Sequence, residues 1–311
     1  MRKVLLATTA LVALGGVSAA SADIAVTASS SFNYVTTSGG ADAAEDRDVS
    51  TQVDVAITGS SVLDNGITVT GMLGFDEKDK GQGADGDDAG MTISGDFGSL
   101  AFGGIASASL GAMATDVTAD EGMDLSAEYL SGTAGPADEY VPNMDVSYAL
   151  PSVNGVSVML GMTDGAGDVG GATADDGSGF GITYAMGGSM PVTVNYTSFS
   201  TGAADSDITS LGAKVTAGAA TITVAMNEKG NYEATGIGAT YAVSDALTIQ
   251  AYTSDAETGA ANVETELTGF GLTYTVTPGM KVSITQNDFS GTGGTAEESG
   301  SRTAFAVDVS F

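Results

Sequence analysis

Apolar and polar residues alternate along this chain with a period of two, segment after segment, and that rhythm allows few folds. In a strand successive side chains point to opposite sides, so each such segment reads as a β-strand with one face turned away from water. Ile24, Val26, Ala28, Ser30, Phe32 and Tyr34 alternate with Ala25, Thr27, Ser29, Ser31 and Asn33. Val49, Val53, Val55 and Ile57 alternate with Ser50, Gln52, Asp54 and Ala56. The hairpin signal Leu63-Asp-Asn-Gly66 follows, and Ile67, Val69, Gly71, Leu73 and Phe75 resume the pattern. Seven strands are expected before residue 165. Further ones, at about 178–185, 192–200, 207–217, 220–227, 233–242, 246–254, 264–275, 280–288 and 301–311, bring the total to roughly sixteen. Connections alternate between tight turns, such as Ala217–Ala220 and Thr277–Met280, and longer acidic loops, such as Gly165–Gly177 and Ser290–Gly300.

The rhythm breaks once, between Ala106 and Asn143, and resumes at Met144-Asp-Val-Ser-Tyr-Ala-Leu150. A structureless loop of that length is unusual in a compact fold and is commonly functional. Leu110, Met113, Val117, Met123, Leu125, Tyr129 and Leu130 have the spacing of a weak amphipathic helix. Asp116, Asp120, Glu121, Asp124 and Glu128 lie on its other face. Such an insert, acidic on one side and apolar on the other, fits inside a barrel, because its apolar residues need somewhere to pack.

Residues 1–22 read as a secretory signal peptide: Arg2 and Lys3, an apolar stretch from Val4 to Val17, then Ala20-Ser21-Ala22 as the cleavage site. The mature part then begins at Asp23. It holds no second apolar run long enough for a membrane helix. Cysteine, histidine and tryptophan are absent from the whole sequence. Without cysteine there is no disulfide framework or thiolate metal site. Without histidine the commonest general base and the usual zinc ligands are gone, which argues against an enzyme. After cleavage 7 basic residues face 39 acidic ones, a net charge of −32. A surface of that sign repels nucleic acid and attracts cations.

Two features favour a membrane barrel over a soluble sandwich. The polar face is mostly Thr, Ser, Asn, Gln and Gly, which suits a wet lumen, and an even set of strands with short turns at one end is the outer-membrane pattern. A sheet in lipid must close, because an open edge leaves backbone groups unsatisfied. In the last segment Phe305, Val307, Val309 and Phe311 face one way, and Arg302, Ala304, Ala306, Asp308 and Ser310 the other. The signal peptide, the mature start Asp23-Ile-Ala-Val-Thr-Ala, the segment Phe97-Gly-Ser-Leu-Ala-Phe-Gly-Gly104 and the end Ala304-Phe-Ala-Val-Asp-Val-Ser-Phe311 resemble the Gram-negative general porins, specifically their alphaproteobacterial trimeric branch. The resemblance implies an all-β, sixteen-stranded antiparallel transmembrane barrel over residues 23–311, assembled as a homotrimer in the outer membrane. It implies a third long loop, here residues 106–143, folded into the lumen to constrict the pore. It also implies passive diffusion of small hydrophilic solutes and ions, no required cofactor, and a terminal Phe311 that serves as the assembly signal.

Several residue roles are expected on this basis. Asp116, Asp120, Glu121, Asp124 and Glu128 would form the acidic side of the constriction, with Asp138 and Glu139 as weaker candidates. The resembled family opposes that loop with wall arginines, but the mature chain holds only Arg47 and Arg302. By strand parity Lys214, Lys281 and Arg302 point inward, together with Asp48, Asp54, Asp145 and Asp308, and a cation preference follows. Arg47 and Arg302 are expected near each other where the first and last strands meet. Asp85, Asp87 and Asp88 could hold calcium, a hard cation taking several oxygen ligands, and Asp164, Asp168, Asp175 and Asp176 have similar standing. Acidic loops in the resembled family also bridge lipopolysaccharide through divalent ions. Tyr34, Phe75, Tyr148, Tyr184, Tyr241, Tyr274 and Phe311 are placed as aromatic girdles would be. The competing reading is a secreted acidic calcium-binding β-sandwich or surface-layer protein, with the apolar face as its core.

Overall fold

The structure is a computed structural model that describes residues 23–39, 46–78, 89–103, 110–113, 144–163, 176–200, 207–230, 232–258, 263–293 and 296–311. The predicted signal peptide and the acids at 85–88 lie outside those residues, as do 164–175 and all of 114–143.

Sixteen antiparallel strands close into one barrel, each paired with its neighbours in sequence and β1 with β16. They are β1 (Asp23–Gly39), β2 (Asp46–Val62), β3 (Thr68–Lys78), β4 (Ala89–Gly95), β5 (Gly98–Gly103), β6 (Val146–Ala149), β7 (Val156–Thr163) and β8 (Gly177–Met186). The second half comprises β9 (Val192–Ser200), β10 (Ile208–Ala217), β11 (Ala220–Lys229), β12 (Tyr232–Ala242), β13 (Leu247–Thr258), β14 (Val263–Thr277), β15 (Met280–Gly293) and β16 (Ala296–Ser310). The strand count agrees with the alternation. Several strands run further towards the long loops than expected: β16 begins at Ala296 and β11 reaches Lys229. Those extensions are polar, so hydrophobic periodicity does not mark them.

Closure is completed by the ladder from Ser29↔Ser310 to Gly39↔Gly300. Phe311 N–H donates to Ala28 O at 2.8 Å. The turns at one end follow their residue chemistry. At the β6–β7 turn Asn154 and Gly155 both adopt positive φ (51° and 82°), the conformation a two-residue hairpin needs.

The outer face is apolar and uncovered. Phe270 is 61% exposed, and Leu160, Ile237 and Ile222 are about half exposed. One cross-sheet row reads Ile249, Leu272, Ile284, Phe305, Tyr34 and Val49. Four residues nearer the long loops the same strands present Thr253, Thr268, Asp288, Ser301 and Ser38. An apolar band that stops at a polar row is what a strand leaving hydrocarbon requires. Tyr148, Tyr184, Tyr241 and Tyr274 all lie on this outer face near the ends of strands that enter tight turns. The apolar face is therefore not the buried core of a sandwich.

The inner face is built from small and polar residues, with three aromatics laid on glycines. Phe199, Tyr252 and Phe289 point inward and are directly paired with Gly179, Gly269 and Gly300. A β-carbon at any of the three glycines would overlap the ring opposite. Each ring thus covers a gap in the neighbouring strand and pins its register.

Candidate functional site

Two regions of the inner wall bear on what passes through this barrel. The first, on β7–β11, receives the start of the long insert. Leu110 is 1% exposed and packs with Ala101, Met144, Phe199 and Ile208, and Met159 lies against that cluster. A side chain of this size buries about 1.5–3 kcal/mol of transfer free energy. The wall makes room by carrying glycine where it faces the insert. A β-carbon on Gly181 would collide with Leu110 O, one on Gly161 would stand 2.6 Å from Met144 Sδ, and one on Gly212 2.6 Å from Met113 Cβ.

Neutral hydrogen-bonding groups then satisfy the insert's backbone. Thr197 Oγ1 lies 3.3 Å from Leu110 O and 3.1 Å from Asn195 Oδ1, one hydroxyl hydrogen facing two acceptors. Asn195 Nδ2 donates to Thr183 Oγ1 at 2.9 Å, and Asn227 Nδ2 donates to Met113 O at 3.3 Å. Gly181, Thr197, Ser210 and Asn227 form one direct cross-strand row under the insert. Asn195, Thr197 and Ser210 are completely buried. Ser210 Oγ is the exception in the row, buried with no hydrogen-bond partner.

The insert starts differently from the expected helix. Leu110 has φ 47° and Gly111 φ 80°, the two form a turn, and residues 112–113 are irregular. A right-handed helix cannot include Leu110 in that conformation. The reason is the seat itself: an irregular turn presents both a carbonyl and a side chain to the glycine wall, which a helix would not. The predicted constriction acids Asp116, Asp120, Glu121, Asp124 and Glu128 lie outside the described residues.

The second region is the inner wall of β1, β2, β15 and β16, where charge is exposed to the lumen. Asp48 faces inward opposite Val35, and Asp54 opposite Ser29. Lys281 and Asp308 face each other directly across the β15–β16 ladder. Arg302 also points inward, only 7% exposed, between Thr37 and Asn287. Elsewhere on the wall Asp145 lies beside Met144, and Lys214 projects from β10 opposite Thr193 and Thr223. Lys229 joins them, because β11 continues past the point where its apolar pattern fades. Acidic and basic groups on the described wall are thus interspersed. Arg47 and Arg302 flank β1 at adjacent levels, opposite Thr36 and Thr37 respectively. Because neighbouring residues of a strand point to opposite sides, Arg47 is outside the barrel and Arg302 inside, and the two do not form a basic patch.

Sequence reasoning missed the seat: Gly161, Gly181, Asn195, Thr197, Gly212 and Asn227 attract no attention as a set. One signal was present. Gly177, Gly179 and Gly181 occupy alternate positions of β8, so the first half of its inward face, before Thr183, carries no side chains.

A closed barrel with an apolar exterior, a polar interior and Leu110 to Met113 seated on its inner wall is a transmembrane channel. The Gram-negative porin family model matches residues 7–294, and the chain belongs to that family of outer-membrane channels. Its fold is also that of solved Rh. blastica porin variants. One with five substitutions is 20% identical, with a TM-score of 0.66. A double variant is 19% identical (TM-score 0.65) and a triple variant 20% (TM-score 0.66). Each comparison covers 93% of this chain and 100% of the other. No curated protein sequence matches it.

Proposed function

We propose that this porin passes small hydrophilic solutes and ions by passive diffusion, with a preference for cations, and that it does so as a homotrimer. The observation that carries the reading is the anchored start of the insert: Leu110 and Met113 are fixed to the inner wall of β7–β11. In this reading the insert goes on from Met113 into the lumen. That continuation carries Asp116, Asp120, Glu121, Asp124 and Glu128. Because acidic and basic side chains are mixed along the described wall, these loop acids supply the selectivity in this reading. A ring or row of fixed carboxylates favours cation entry by local potential and needs no chemistry.

Single-channel recording of detergent-purified protein in a planar bilayer under a KCl gradient tests this. Stepwise openings with a reversal potential towards the potassium value are expected, and steps in groups of three would support the trimer. A reversal potential towards chloride would refute the cation preference. Independent single steps at every dilution would refute the trimer.

A further inference from the structure

The inner wall holds a hollow of about 480 Å³ where β15 and β16 reach their turn ends beside β1 and β2. Ser29, Ser31, Gln52, Thr275 and Ser310 line it with hydroxyl and amide groups, and Asp54, Lys281 and Asp308 add charge. Its lining contains no aromatic ring. Asp54 is held on both oxygens by neutral donors: Ser29 Oγ reaches Oδ2 at 3.0 Å and Gln52 Nε2 reaches Oδ1 at 2.9 Å. These bonds orient the carboxylate and leave its charge in place. Lys281 and Asp308, by contrast, are opposite charges in direct register, an arrangement in which each offsets the other. Asp54 is paired with Ser29 on one side and Asp76 on the other, so the hollow presents a fixed carboxylate with no basic residue directly opposite it, surrounded by groups that both donate and accept hydrogen bonds.

Resting on the porin reading, we infer that this hollow is a subsite for small hydroxyl-rich solutes bearing one ammonium group, the chemistry of an amino sugar. The ammonium meets Asp54, and the solute's hydroxyls replace water on the serines and threonine. A neutral sugar finds the same hydroxyls without the charge. An acidic sugar meets Asp54 with the wrong sign. A bare inorganic cation keeps its own hydration shell and gains little from the hydroxyl lining.

The test compares protonated glucosamine with glucose on the full-length protein at pH 6, in single-channel recordings and in solute uptake by reconstituted liposomes. Wild type should show glucosamine interrupting the ion current at concentrations where glucose does not. Asp54→Asn should weaken that effect about tenfold, and Asp54→Glu should restore most of it. Asp308→Asn removes the acid directly opposite Lys281 and should weaken it as well. An unchanged glucosamine-to-glucose ratio in Asp54→Asn, with channels still opening, would overturn the subsite and leave the porin reading standing. Wild-type channels that open yet do not discriminate between the two sugars would overturn it in the same way. Failure of wild-type protein to form channels would remove the porin reading on which the subsite rests. Circular dichroism of each variant establishes that the barrel has formed before its currents are read.

Discussion

On the inner face of β7–β11 the residues beneath Leu110 and Met113 are Gly181, Thr197, Ser210 and Asn227, and they are covered; towards the tight-turn end of β1, β2, β15 and β16 the inner face carries Ser29, Asp54, Lys281 and Asp308, which stay partly or fully exposed. Both regions belong to one hydrogen-bonded lattice with the same inward parity. What differs is the partner each was built to meet. A polypeptide backbone brings its own dipoles and demands neutral partners and close approach, which glycines and buried amides supply. Water and dissolved ions demand groups that stay hydrated, and a charge there costs little because solvent shares it. The wall therefore sorts into a part that holds chain and a part that meets solute.

Substitution at Gly181 breaks this contrast most severely. Gly181→Ala puts a β-carbon into Leu110 O, a backbone atom that cannot rotate away. Overpacking of this kind costs about 1–3 kcal/mol, and displacement of the insert should raise single-channel conductance. Gly59→Ala is the control, since a β-carbon there has nothing within 4 Å, and it should change neither conductance nor thermal midpoint. If both variants conduct like wild type, the insert is not held by this wall.

Leu110→Ala tests the same seat from the other side. Removing a fully buried leucine side chain costs about 2–5 kcal/mol at well-packed sites. A lower thermal midpoint in detergent and noisier open-channel current are expected, and a quiet current would limit Leu110 to a packing role.

Asp54→Asn should behave in the opposite manner. A partly exposed wall residue tolerates substitution within about 0.5 kcal/mol, so the thermal midpoint should hold. The reversal potential should move slightly towards chloride, with the loop acids keeping most of the cation preference. A large drop in stability with unchanged selectivity would show that the two regions are not distinct in the way described.

The smallest effect is expected at Ser210. Its hydroxyl is buried in the seat row without a partner, and an unsatisfied buried group is unfavourable by about 1–3 kcal/mol. Ser210→Ala should leave the thermal midpoint unchanged or raise it slightly, whereas Thr197→Val, which removes a donor to Leu110 O, should lower it. A lower midpoint for Ser210→Ala would mean that its hydroxyl has a role in the seat that its surroundings do not reveal.

Much of this molecule was determined by the sequence alone. Period-two alternation defines strands and their faces locally, because Cβ direction alternates whatever the fold. Hence Phe305 and Phe311 read as one face and Asp308 and Arg302 as the other without any coordinates. The same logic placed Asp54 and Lys281 inward. It stopped short at Lys229 and Ala296, because polar strand extensions beyond the membrane have no apolar partner residue to reveal them. It also misjudged Leu110, since helical spacing says nothing of a wall waiting to receive a turn.

Only tertiary structure decided which groups meet. Leu110 and Thr197 are 87 residues apart and Met113 and Asn227 are 114 apart. Arg47 and Arg302 are brought to adjacent levels by closure and separated by the thickness of the wall. Register across a closed barrel depends on every ladder at once, so such neighbours exist only after all sixteen strands have paired. The sequence carries the two faces of each strand, and the closed lattice decides which residues stand opposite one another across the lumen wall.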